Sequence, residues 1–122
     1  MEALARGVLI VDENLTDLIP WLNGEDMNFK TRGIPLGASV EDLQQHYLPA
    51  SIFVTNNCKD FVEGAINHGY SIVATEIVSK DPKSLATMIS KAIARHKLWS
   101  KDTGWLLQLQ HSGRHEFRQL RR

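Results

Sequence analysis

The sequence predicts a single α/β domain: a mainly parallel central sheet, helices on both of its faces and a β-hairpin at the end. Three observations predict it. Short apolar runs of strand length recur along the chain, with helix-period patterns between them. Those runs are continuous and β-branched rather than alternating, the pattern of strands covered on both faces. Beyond Trp99 the pattern changes to partial alternation on either side of a turn signal. At 122 residues the chain suits one domain with a sizeable core. Its alternating part covers 7–98 and its hairpin 104–122.

The first strand is Val8 to Val11, and it stops abruptly on Asp12-Glu13-Asn14. Leu15, Leu18, Ile19 and Leu22 then share a helical face. Pro20 removes a backbone donor there, so this helix is expected to be short or distorted. Asn28 to Arg32 is a weaker strand. Ser39 and Asp42 have capping-box spacing ahead of Leu43 and Tyr47. Ser51 to Thr55 is the third strand. Asn57 and Asp60 repeat the capping spacing ahead of Phe61, Ala65 and Ile66, and Gly69 is a natural helix stop. Ser71 to Val78 is the fourth strand. The clearest helix follows: Asp81 can cap it, Pro82 suits its first position, and Leu85, Met88, Ile89, Ala92 and Ile93 form one apolar stripe. Trp105 to Gln110 and His115 to Leu120 form the terminal hairpin around His111-Ser112-Gly113-Arg114. Right-handed crossovers are expected in the parallel part.

Fourteen basic side chains balance fourteen acidic ones, so net charge does not select a partner. The distribution is more informative. From His111 onward, Arg114, Arg118, Arg121 and Arg122 face one carboxylate, Glu116. Such a hairpin could contact an RNA backbone, because phosphate neutralisation dominates that affinity. The single cysteine, Cys58, excludes an internal disulfide and fits a reducing compartment. No apolar run is long enough to span a bilayer, and the first residues lack the apolar core of a signal peptide. A cytoplasmic protein with no membrane partner is the expectation. Trp99 and Trp105 suit either a core or a homodimer interface.

In open parallel sheets, ligands gather beyond the carboxyl ends of the strands. Several polar groups should meet there. Asp12 and Glu13 follow the first strand, and Asn56 and Asn57 follow the third. Glu41, Asp42 and Asp60 begin helices. A carboxylate in a helix's first turn also has a structural role worth about 0.3–1 kcal/mol. Clustered carboxylates at that edge would suit a hard divalent cation.

This order of motifs resembles the PIN-like proteins, specifically the small bacterial branch often found beside toxin–antitoxin genes. The residues that carry the resemblance are Asp12-Glu13-Asn14, Gly37-Ala38-Ser39-Val40-Glu41-Asp42, Val54-Thr55-Asn56-Asn57-Cys58-Lys59-Asp60-Phe61, the segment from Gly69 to Val78, and the basic hairpin from Gly104 to Arg122. The resemblance implies a PIN-like three-layer α/β/α sandwich and a metal-dependent endoribonuclease, of the kind that serves as the toxin of a toxin–antitoxin pair. It implies Mg²⁺ or Mn²⁺ held by Asp12, by Glu41 or Asp42, and by Asp60. A metal-activated water would then attack a phosphodiester. Asp12 and Asp60 would be catalytic, with Glu13, Thr55 and Asn57 in support. RNA and an antitoxin protein would be the partners, with Arg114, Arg118 and Arg121 on the RNA.

Two departures from the family pattern matter. An acid usually follows the Ser of Gly-Ala-Ser, and here it is Val40. An Asp usually lies between the strand's Thr and Lys-Asp-Phe, and here Asn56-Asn57-Cys58 fills the interval. Asparagine offers a carbonyl oxygen without charge, and divalent affinity follows ligand charge. A binding module that has lost the metal site is therefore the second expectation. A receiver-like signalling domain is the third, since Val8 to Asn14 also resembles the opening of receivers. There Asn57 would stand where a phospho-accepting Asp belongs.

Overall fold

The computed structural model describes residues 7–23, 29–35, 37–75, 81–98, 102–110 and 114–120. Six strands form one sheet: β1 (Gly7–Val11), β2 (Phe29–Gly33), β3 (Ser51–Thr55), β4 (Ser71–Thr75), β5 (Trp105–Leu109) and β6 (His115–Gln119), in the order β2-β1-β3-β4-β5-β6. The first five are parallel, and β6 pairs antiparallel with β5. The hairpin therefore extends the sheet rather than lying apart from it. Its turn, at 111–113, lies outside the described residues, as does the end of the expected fourth strand beyond Thr75.

The helices lie on both faces, giving three layers. One face carries a 3₁₀ segment, Glu13–Leu18, with α1 (Ile19–Asn23) and α4 (Pro82–His96). Leu18 and Leu22 pack there with Leu85, Ile89 and Ile93 over Leu9, Val11, Val54, Val73, Trp105 and Leu107. The other face carries α2 (Val40–Asp42), which continues as a π-turn over Leu43–Tyr47, and α3 (Val62–His68). Leu43, Leu48, Phe61 and Ala65 pack there over Ile10, Phe53, Ile72, Ala74 and Leu106. β3 and β4 are buried along their whole length, as continuous apolar runs require. Trp105 is 1% exposed, so it belongs to the core. Trp99 lies outside the described residues.

Three crossovers share one hand and the fourth does not. β1 to β2 runs over the α1 face, whereas β2 to β3 and β3 to β4 run the opposite way over the other face. β4 to β5 runs in that same direction but over the α1 face, so its hand is reversed. Right-handed connections throughout were the expectation, and the apolar stripe of α4 decides otherwise. α2 and α3 already fill one face, while Leu18 and Leu22 leave the other open to that stripe.

Local sequence explains most element ends. The Ser39 Oγ accepts from the Asp42 amide (3.1 Å), and the Asp81 carboxylate accepts from the Ser84 amide (3.1 Å) and hydroxyl (2.7 Å). Gly69 closes α3 at φ 72°, a left-handed conformation that glycine adopts without a Cβ clash. Two expectations need correction. The capping spacing announced a regular helix over Leu43 and Tyr47, yet these residues form a π-turn and Tyr47 is 43% exposed. The π-turn widens the spiral, so Leu48 takes the buried place and its amide donates to the Leu43 carbonyl (2.8 Å). Asn57 was to cap a helix, but its side chain accepts from no backbone amide. A 3₁₀ turn, Cys58–Asp60, separates it from α3.

The π-turn also aims Gln44 at the start of α3. Its amide donates to the Tyr70 hydroxyl (3.0 Å), which in turn donates to the Phe61 carbonyl. Gly64 leaves room for it: a Cβ there would lie 2.1 Å from Gln44 Nε2. Alanine at 64 displaces that amide, so its intrinsic helix advantage of about 1 kcal/mol is cancelled. In a Gln44→Ala background the amide clash is gone and the Tyr70 hydroxyl, 3.0 Å from the same Cβ, is the remaining close neighbour, so Gly64→Ala should cost less there, giving a coupling of about 1 kcal/mol in a double-mutant cycle. Burial pushes the Tyr70 phenol above its ordinary value, against a smaller opposing pull from the Gln44 bond. A raised phenol contributes stability that is fully present below the ordinary value of 10.0 and lost as pH rises through the folded value. Tyr70→Phe should cost about 1 kcal/mol at pH 8. In urea titrations above pH 10 that difference should shrink, and a constant difference would contradict this account.

Candidate functional site

The sheet order reverses direction at β1: its first crossover leads to β2 on one side, and β3 lies on the other. The crevice beyond the carboxyl ends of β1 and β3 is therefore a topological switch point, the place where open α/β sheets bind ligands. Asp12 stands there. Its amide donates to the Val54 carbonyl (2.9 Å), continuing the β1–β3 ladder by one residue. Its carbonyl accepts from the Leu15 amide (2.9 Å), opening the 3₁₀ segment. The main chain is thus held from both sides, and the carboxylate is fixed with it.

Asp12 is 9% exposed and is the one buried carboxylate among the described residues. A buried charge needs partners. Thr55, fully buried at the end of β3, supplies one: its Oγ1 donates to Asp12 Oδ2 (2.7 Å). The same oxygen accepts from the Asn57 amide (3.0 Å), which a hydroxyl can do while donating. The Asn57 carboxamide donates to Asp60 Oδ2 (2.8 Å). Asp12, Thr55, Asn57 and Asp60 therefore form one hydrogen-bonded chain across the ends of β1 and β3. The second oxygen of Asp12 makes no hydrogen bond among the described residues.

The other expected site residues lie apart from this chain. Glu41 is exposed and accepts from Gln45 (3.3 Å). Asp42 is exposed, with its carboxylate 3.9 Å from His46 Nε2. Both pairings are i,i+4 contacts along the α2 segment. Glu13 is exposed in the 3₁₀ segment. Among the described residues, no three His, Cys, Asp or Glu side chains are placed to hold one metal ion. Among the described residues, the groups joined to Asp12 are Thr55, Asn57 and Asp60, and Asn57 occupies one oxygen of Asp60. Arg114 and Arg118 are exposed on and beside β6. Arg121 lies outside the described residues.

Compared with protein-family models, curated proteins and solved structures, the chain matches none.

A fifth parallel strand ending at Lys80 would favour the receiver-like expectation; Lys80 lies outside the described residues, and the fifth parallel strand among them is Trp105–Leu109, after α4. The order β2-β1-β3-β4-β5 is shared with receiver-type sheets, but the reversed last crossover and the antiparallel β6 set this sheet apart. No helix among the described residues is long and apolar enough to cross a membrane.

The sequence reading missed two residues at the same edge. Gln108 and Gln110, alternate residues at the end of β5, line a small cavity with Ala74 and Leu109. Their only signal was two glutamines at period two within a strand-like run, which resembles any solvent-facing strand pattern.

Proposed function

We propose that the chain is a PIN-like binding module that captures a cationic group of a partner protein at Asp12, rather than a metal-dependent ribonuclease. The observation that carries this is the buried Asp12 carboxylate at the switch point, with one oxygen held by Thr55 and the other left for a guest. Asp60, linked to it through Asn57 and Thr55, and Glu13, next to it in the chain, are both exposed. A field of that sign attracts lysine and arginine side chains and opposes the phosphates of RNA. An antitoxin-like partner with a basic segment fits this chemistry.

A hydrolytic function keeps one observation in its favour: Asp12 and Asp60, the two carboxylates expected to be catalytic, share one hydrogen-bonded chain. Magnesium often binds through one or two carboxylates and completes its shell with water and substrate oxygens. The two functions part in solution. Titration with a short Gly/Ser peptide containing one arginine should shift the NMR signals of Asp12, Thr55 and Asn57 saturably. MnCl₂ should leave single-stranded RNA uncut. Manganese-dependent RNA cleavage lost in Asp12→Asn would overturn the binding proposal in favour of the nuclease.

A further inference from the structure

We infer that the cavity at the carboxyl ends of β4 and β5 is a second anchor for the same partner segment, and that it takes one side-chain carboxamide. Its volume is about 100 Å³. It is well below the roughly 300–1,000 Å³ of a small-molecule site. A carboxamide with its methylene fits.

The lining specifies the chemistry. Gln108 and Gln110 are on one face of β5, since they alternate with Leu109. Neither carboxamide makes a hydrogen bond to another described residue. Each offers two donors and an acceptor, so the cavity matches a neutral guest that also carries both. Ala74 supplies a small floor: it is the register partner of Gln108 and leaves space where a larger side chain would fill it. The carboxylate at Asp12 and the carboxamides of Gln108 and Gln110 make two distinct anchors.

Geometry links them. Gln108 is on the sheet face of Leu106 and Ala74, and Thr55 is on the face of Phe53. These are the same face, and Thr55 holds Asp12 there. The path from β1 to the β4–β5 cavity crosses two to three strand spacings, about 10–14 Å at 4.8 Å each. An extended peptide covers that in three to four residues, at about 3.3 Å per residue. The partner segment thus carries an arginine or lysine and, three to four residues along, an asparagine or glutamine.

This rests on the binding function proposed for Asp12, and a peptide array separates the two. The probes are Gly/Ser peptides with one arginine and one glutamine at separations of one to six residues, tested against the full chain. Separations of three and four should bind about tenfold more tightly than one or six. That preference should vanish in Gln108→Leu and in Gln110→Leu, with the arginine-dependent binding intact. Arginine-dependent binding that ignores glutamine spacing would overturn the second anchor alone. Failure of every arginine peptide would overturn the Asp12 proposal itself. Because the leucine variants could perturb the edge, Gln108→Glu is the control: it should retain the fold by circular dichroism and lose the spacing preference. Tighter binding of oligoadenylate than of any peptide, lost in Gln108→Leu, would assign the cavity to RNA instead.

Discussion

Replacing Trp105 by alanine should remove about 3–5 kcal/mol of stability, a large share of the roughly 5–15 kcal/mol available to a domain. The residue is fully buried at the start of β5. Its ring lies 5.9 Å from that of Phe117 on β6, and Phe117 in turn stacks on His96 at the end of α4, at 5.5 Å and 17°. One indole therefore joins the hairpin to the last helix. The backbone beside it is held too: the Ser71 Oγ accepts from the amides of Gly104 (2.9 Å) and Trp105 (3.3 Å). Removing the ring opens a cavity where three elements meet, and β6, an edge strand, has few other buried contacts. The midpoint of thermal unfolding should fall by about 10–20 °C. Trp105→Phe, which keeps most of the apolar area, should cost less than half as much. A loss below about 1 kcal/mol for the alanine variant would mean that the hairpin is not held through this residue.

The second large effect concerns the site. Asp12→Asn keeps the side-chain shape, and its Oδ1 can still accept from Thr55. Stability should change by less than about 1 kcal/mol. Binding of an arginine peptide should weaken by about 10- to 100-fold, the loss of a charge-assisted hydrogen bond worth roughly 1.5–3 kcal/mol. Thr55→Val acts differently. It leaves the buried carboxylate without its donor, which costs about 1–3 kcal/mol, and it frees the Asn57 amide that Thr55 also holds. The valine variant should therefore lose both stability and affinity, while the asparagine variant loses affinity alone. Urea denaturation and peptide titration on the two variants provide the check. Equal stability losses would show that Asp12 serves the fold rather than a guest.

The strands were legible because burial on both faces demands continuous β-branched runs, and Val8 to Val11 and Ser51 to Thr55 have that composition. The α4 cap was legible because Asp81 and Ser84 act within one turn. Capping at Ser39 was legible for the same reason. The course of the following turn was not: whether it winds as an α-helix or a π-turn depends on Leu48 reaching the core and on Gln44 reaching Tyr70, 26 residues away. The role of Asn57 failed in a similar way. Its spacing to Asp60 fits a cap, yet its side chain bonds that carboxylate directly.

The residue pattern along the chain is enough to specify an α/β chain with a mainly parallel sheet, a closing hairpin and an acidic residue at the end of its first strand. Those features follow from local rules: periodicity, caps and turn residues act over a few positions. Which acids come together depends on the three-dimensional arrangement. Asp12 joins Thr55, 43 residues away, because β1 and β3 are adjacent in the sheet, while Glu41 and Asp42 are engaged along their own segment. Whether carboxylates converge depends on the order of the strands and the faces of the helices. That order is fixed by packing between distant apolar surfaces and leaves no mark in the spacing of the acids themselves.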